Sequence, residues 1–461
     1  MSPMNQTQDS LSSRREFIKN TGTIAAVSAL AGVALPHVHA ATSNTIQIAL
    51  IGCGGRGTGA AGDALSVKNG PIKLVAMADV FDYRLKSSCD TLKRHSAKQV
   101  DVTEDRKFIG FDAYKKAMDC LKPGDVAIFA TPLAFRWVHF GYAIKKGLNV
   151  FMEKPLTADG PTSRRMLKLA EEATAKNLKV GVGLMSRHSR ALQELHQRIQ
   201  DGEIGDLILL RGYRMHGPVG SAFSEKWPGK PSELLWQIQR FHSFLWASGG
   251  CFSDFYVHHI DHLCWMKNAW PVKAQALGGR HYRGNSVDQN FDSYAVEYTF
   301  ADGSKFMMDG RCINGCNDIY SSYAHGSKGM AIVSEANDCG LPSSTYKGQN
   351  PERSNQLWVS KVDPDQQNPY QNEWNDLVDA IRNDKPYNEA KRGVEASLVT
   401  SMGRMAAHTG QEITFEEMLN SDHEYAPGLD KLTMDSPAPL LADASGKYPV
   451  PEPGIKKKRE F

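Results

Sequence analysis

Three side chains have the types and spacing to move a proton at a hydroxyl-bearing carbon. Lys154 stands in Glu153-Lys154-Pro155, and Asp254 and His258 stand in GGCFSDFYVHHIDHLCW, residues 249–265. A lysine fixed at a strand end by the following proline can hold an ammonium where an alkoxide develops. Histidine titrates near neutrality and can accept a hydroxyl proton. Asp254 lies four residues before His258, on the same helical face, where its carboxylate can orient the imidazole or the substrate. A zinc reading draws on the same stretch, because Asp254, His258 and His262 follow at four-residue steps and His259 pairs with Asp261. The metalloprotease pattern requires glutamate directly after its first histidine, where this chain has His259, so no metal is expected.

These groups need a scaffold, and the preceding sequence supplies one. TIQIALIG (45–52) reads as a buried parallel strand. It runs into GCGGRG, where Gly52, Gly54 and Gly57 keep G-x-G-x-x-G register around Gly55 and Arg56. The first glycine permits a tight turn, the second lets a pyrophosphate approach the backbone, and the third lets helix and strand pack closely. IKLVAMAD ends a second strand at Asp79, twenty-two residues after Gly57, where a carboxylate would hold adenosine ribose hydroxyls. Val80 follows Asp79 with no adjacent arginine for a 2′-phosphate, which favours NAD over NADP, although Arg84 is close. Later strands end at Thr131-Pro132 and at Glu153-Lys154-Pro155, the strand ends beyond which a doubly wound sheet binds its ligand. NLKVGVGL (177–184) adds one more strand. The expectation is an α/β Rossmann domain over about 44–186.

A chain of 461 residues calls for two domains. Hydrophobic residues make up 41% and charged residues 23%, a soluble globular balance, and a formal charge of +3 excludes a strongly basic nucleic-acid face. The C-terminal KKKRE reads as a solvated tail. Eight cysteines lack C-x-x-C spacing and do not suggest a disulfide framework in a chain this long. Ahead of the fold, Ser13-Arg14-Arg15-Glu16-Phe17-Ile18-Lys19 precedes a moderately apolar run that is too short for a permanent membrane anchor. Val38-His39-Ala40 offers small residues for cleavage. The heptapeptide resembles the twin-arginine signal, which implies residues 1–40 as a removable address, partnership with the twin-arginine machinery and a periplasmic or otherwise exported protein.

Taken together, the glycine loop, Asp79, EKP and GG…D-x-x-x-H-x-x-D resemble the glucose–fructose oxidoreductase, inositol dehydrogenase and MocA (Gfo/Idh/MocA) family over about 45–419. The resemblance implies that Lys154 and His258 act with Asp254 where nicotinamide meets a carbohydrate substrate. His139 falls where relatives often carry histidine beside the cofactor. It also implies an α+β C-terminal domain over 187–425, built on a large, open, mostly antiparallel sheet that covers the nicotinamide. Runs such as DLILLRGYRMH, DSYAVEYTF and SKFMMDGRC fit its strands, and residues 373–414 fit helices with a turn near Pro386. Arg187, His188 and Tyr213 are placed by position at the substrate. The tail, 426–461, is expected to wrap the surface or a neighbouring subunit of a homo-oligomer. Two departures stand out. Tyr256 replaces the family's glycine and is expected to narrow the pocket. Residues 217–247 form an insertion whose Trp227, Trp236 and Trp246 either stack on a sugar or anchor the loop.

An exported enzyme meets no free NAD, so the cofactor is expected to load before export and stay bound, with its hydride returned in the same cycle. A paired oxidation and reduction of sugars satisfies this. So does an NAD-dependent glycosidase, which oxidises transiently and eliminates the glycosidic bond. A sugar-responsive binding module with a structural nucleotide is the non-catalytic alternative.

Overall fold

Ile46–Ile51 (β1) is apolar on both faces because parallel neighbours flank it on each side and helices cover it. A computed structural model describes residues 44–281 and 283–461; the export signal read at residues 1–40 lies outside the described residues. β1 pairs with Ile72–Asp79 (β2) and with a later strand, β4. Lys107–Ile109 (β3), Val126–Phe129 (β4), Asn149–Met152 (β5) and Val180–Val182 (β6) complete a six-stranded parallel sheet ordered β3-β2-β1-β4-β5-β6. Strand order reverses between β1 and β4, which opens a crevice at their carboxyl ends. The Gly55–Leu65 helix begins there.

The second sheet holds nine strands: Leu207–His216 (β7), Lys273–Gly279 (β8), Ser293–Thr299 (β9), Lys305–Cys312 (β10), Ile319–Gly326 (β11), Gly329–Glu335 (β12), Ser344–Lys347 (β13), Gln356–Val359 (β14) and Ile413–Thr414 (β15). Their order is β14-β13-β12-β11-β7-β10-β9-β8-β15, antiparallel except where β7 meets β10. The Gly250–Lys267 and Ala390–Thr409 helices are buried nearly all round between this sheet and other helices. Gly249 and Gly250 open the first of them at φ +70° and +72°. Side chains there would run into Ser253 and into Asn290, whose Oδ1 lies 2.5 Å from the Cβ that Gly250 lacks.

Chain order and packing part company after residue 368. The Pro369–Arg382 helix returns to the first sheet and stacks Trp374 on Phe151 of β5, with ring centroids 4.5 Å apart. A separate apolar cluster joins the 217–247 segment to the C-terminal tail: Trp236, Phe244 and Trp246 pack with Tyr425, Leu429 and Tyr448. Gln237 donates to the Leu440 carbonyl at 2.6 Å, and Tyr448 donates to Glu233 at 2.6 Å. The tail therefore wraps its own chain. Near its end, Glu460 is buried against Arg404 (2.8 Å) and His408 (2.8 Å).

Candidate functional site

A cleft of about 860 Å³ lies at the carboxyl ends of β1 and β4, beneath residues 220–221 and 238–248. Its floor is the glycine loop. Gly52 has φ +95°, and a Cβ there would sit 2.6 Å from the Ala130 carbonyl carbon. A Cβ at Gly57 would sit 2.0 Å from the Gly52 oxygen, so helix and strand touch backbone to backbone. Gly54 and Gly55 instead face open space in the cleft, where a phosphate group can approach the amides. Asp79 closes this end, accepting the N–H of Cys53 at 2.6 Å and that of Phe81 at 2.9 Å. Burial holds its carboxyl above the ordinary range against those hydrogen bonds. The residues fit a dinucleotide.

Arg56 and Glu153 line the cleft but hold each other. The guanidinium donates to Glu153 at 2.5 Å and to Glu373 at 3.3 Å, over the Tyr370 ring. Thr131 and Pro132 form the facing wall, and Thr131 Oγ1 lies 3.4 Å from His139 Nδ1. Burial first, then Arg136, pushes His139 down to about 3. Sequence reasoning missed Arg136, whose buried guanidinium donates to the carbonyls of Phe129 (2.8 Å) and Thr131 (3.0 Å) and secures the end of β4.

Lys154 and Asp254 meet at the other end. The ammonium donates to the Asp254 carbonyl at 2.7 Å and lies 3.7 Å from its Oδ1. Burial favours a neutral Asp254, but the Lys154 ammonium and the hydrogen bond from His242 hold its carboxyl well below the usual range. His258 sits one turn further along the helix, 8% exposed and set back from the cleft wall. Burial, then the Lys154 ammonium, pushes it down to about 3, so the ring is neutral at physiological pH and its Nδ1 has no partner among the described residues. His242, also missed, lines the cleft with Nε2 3.3 Å from Asp254 Oδ2. No motif marks it; only the folding of residues 217–247 over the cleft brings it to Asp254.

Three residues assigned to the substrate by position lie elsewhere. Arg187 is committed to Asp261 through contacts of 2.8–3.0 Å. His188 bridges Asp376 (2.7 Å) and Glu389 (3.1 Å), both nitrogens occupied. Tyr213 stands on β7 against Tyr323 and under Arg211, and none of the three lines the cleft. Tyr256 does not narrow the pocket, because its ring fills the space above Gly310 of β10, where a Cβ would lie 2.2 Å from it. Trp236 and Trp246 are buried anchors, Trp227 packs at their edge, and none reaches the cleft. The histidines beside the site diverge: His262 Nε2 lies 2.8 Å from Ser322 Oγ, while His259 turns towards Asp338 at 3.4 Å. Among the described residues no group of three or more His, Cys, Asp or Glu is arranged to hold a metal, and no helix is long and apolar enough to cross a membrane.

Comparison with known proteins bears on the second sheet first. Residues 192–332 match the GFO/IDH/MocA C-terminal domain family. An inositol 2-dehydrogenase from Corynebacterium glutamicum is 28% identical over 118 residues, covering 25% of this chain and 34% of that one. The rhizopine catabolism protein MocA from Rhizobium meliloti is 23% identical over 201 residues, 43% of this chain and 56% of that one. The chain thus spans about a third to a half of the length of these curated relatives. Among solved structures, aldose–aldose oxidoreductase from Caulobacter crescentus, complexed with glycerol, superposes with a TM-score of 0.62 at 14% identity, over 80% of this chain and 99% of that one. Levoglucosan dehydrogenase in complex with NADH and levoglucosan gives 0.60 at 16% identity, over 80% and 99%. The fold is that of these dehydrogenases: a Rossmann-like parallel sheet joined to a large, mostly antiparallel one.

Proposed function

We propose that the chain is a member of the Gfo/Idh/MocA family and an NAD-dependent oxidoreductase acting on a hydroxyl of a sugar or cyclic polyol. The observation that carries this reading is one cleft holding the glycine loop and Asp79 at one end and Lys154 with Asp254 at the other. Gly54 and Gly55 would receive the pyrophosphate, and Asp79 the adenosine ribose. Bound NAD supplies the hydride acceptor. Lys154 stabilises the substrate oxygen as its proton leaves and ionised Asp254 holds the lysine in place; His258, one helical turn behind Asp254, stands where the family resemblance assigns the proton acceptor. The anchoring role of the three tryptophans removes the reason to favour a larger glycoside, so the net glycosidase reading is not carried forward. The relatives' names, an inositol 2-dehydrogenase and an aldose–aldose oxidoreductase, support the substrate class.

The proposal includes export by the twin-arginine route with NAD already bound and retained. The test is to purify the exported, signal-cleaved protein without added nucleotide, denature it and assay the supernatant for NAD(H) and NADP(H). Near-stoichiometric NAD(H) is the expected result. An empty protein that also fails to bind added nucleotide overturns the oxidoreductase reading, and NADP(H) in its place corrects the cofactor.

A further inference from the structure

His242 is placed by contacts on every side. The N–H of Ser221 points at its Nδ1 from 3.3 Å, and the Ser221 hydroxyl lies 3.1 Å from the same atom. The Phe241 and Phe255 rings flank it, with centroids 3.9 and 5.4 Å away. Its Nε2 faces Asp254 Oδ2 at 3.3 Å. A backbone N–H can only donate, so Nδ1 is the acceptor, and a neutral imidazole with Nδ1 bare carries its proton on Nε2. That proton points at the carboxylate. Lys154 approaches the other oxygen, Oδ1, so each carboxylate oxygen faces a donor.

We propose that His242 is a positioning residue: a neutral Nε2–H donor that fixes the ionised Asp254 carboxylate against Lys154 and keeps Asp254 from serving as the proton acceptor. The second half rests on the oxidoreductase reading above. It leaves His258 as the group that receives the substrate proton. It also gives the 217–247 segment a chemical purpose, since the segment carries both His242 and the Ser221 that sets its tautomer. The arrangement resembles a carboxylate–histidine–serine chain in composition, but here the serine N–H sets the ring and the carboxylate is the group being held.

Histidine-selective ¹⁵N labelling of the full signal-cleaved protein tests this without any substrate. With the His242 resonances assigned by their loss in His242→Gln, the expected pattern at neutral pH is a bare Nδ1 and a protonated Nε2, and the Nε2–H signal shifts in Asp254→Asn. An Nδ1–H tautomer, an imidazolium, or a signal indifferent to Asp254→Asn overturns the proposal. A second readout follows reduction of bound cofactor by nucleotide fluorescence, using myo-inositol and D-glucose as probes. There His242→Phe is expected to slow the step about 10- to 100-fold with cofactor content unchanged, and His242→Gln, which restores a neutral donor, to recover most of that loss. Reduction at the wild-type rate in His242→Phe also overturns it. A wild-type protein that holds no nucleotide sinks the functional reading alone, because the tautomer and its response to Asp254→Asn are still read.

Discussion

The two ends of the cleft are built in opposite ways. The nucleotide cradle comes mainly from one stretch of chain, β1 to β2, set against the end of β4, and its essential contacts are backbone against backbone: Gly57 on Gly52, and Gly52 on Ala130. The chemical end comes from segments far apart in sequence. Lys154 follows β5, Asp254 and His258 ride a helix of the second layer, and His242 hangs from the segment that the tail pins down. A local motif makes the first end rigid and legible. Tertiary packing makes the second end specific and hard to read. The contrast predicts that damage to the cradle removes the cofactor, whereas damage to the chemical end leaves it bound.

The sharpest break is Gly57→Val. With a Cβ only 2.0 Å from the Gly52 oxygen, the helix must move off the strand, so cofactor content and turnover are both expected to be lost, with about 3 kcal/mol or more of stability. Nucleotide assay and thermal melting check both losses. Lys154→Ala should do the reverse, lowering turnover about 10²- to 10³-fold while bound nucleotide stays near the wild-type level. A variant that loses its cofactor instead would merge the two ends into one functional unit.

Each end also holds a neutral buried histidine, which gives a matched pair for pH. His139 and His258 are both pushed down to about 3 from an ordinary value of 6.5, by burial first and then by Arg136 and Lys154 respectively. Below about pH 6.5 the unfolded chain binds a proton that each ring of the folded, substrate-free protein does not. Stability therefore falls as pH drops from 6.5 towards 3, by about 1.4 kcal/mol per pH unit for each ring. His139→Gln and His258→Gln should each flatten the dependence of the urea midpoint on pH by that amount. A slope left unchanged by one of them would mean that its ring is already charged or solvated in the fold. The smallest effect is expected from Trp227→Ala. This half-buried ring at the edge of the roof should cost about 1–2 kcal/mol in urea denaturation and leave turnover per folded molecule unaltered.

Legibility in the sequence followed locality. The parallel strands were readable because burial on both faces demands continuous apolar runs, and β9 and β10 because alternation marks one buried face. Ile319–Gly326 was missed: Ser322, Ala324 and Gly326 fill its buried face, so no apolar alternation announces a strand. Arg187 and His188 were misplaced because position along the chain says nothing about which carboxylate, Asp261 or Glu389, will reach a buried cation first. Tyr256 looked like an obstruction until Gly310, fifty-four residues later, proved to be the space it fills.

By itself the sequence determined the cradle, the spacing that sets Asp254 and His258 on one helix face, and the two-sheet fold class, since each depends on residues close in the chain or on the periodicity of burial. Only the tertiary structure decided what surrounds Asp254. The short-range contacts that fix its charge and aim run to Lys154, one hundred residues before it, and to His242 on a separate segment. Interactions of a few ångströms carry no trace in sequence spacing until the chain has folded and brought their partners together.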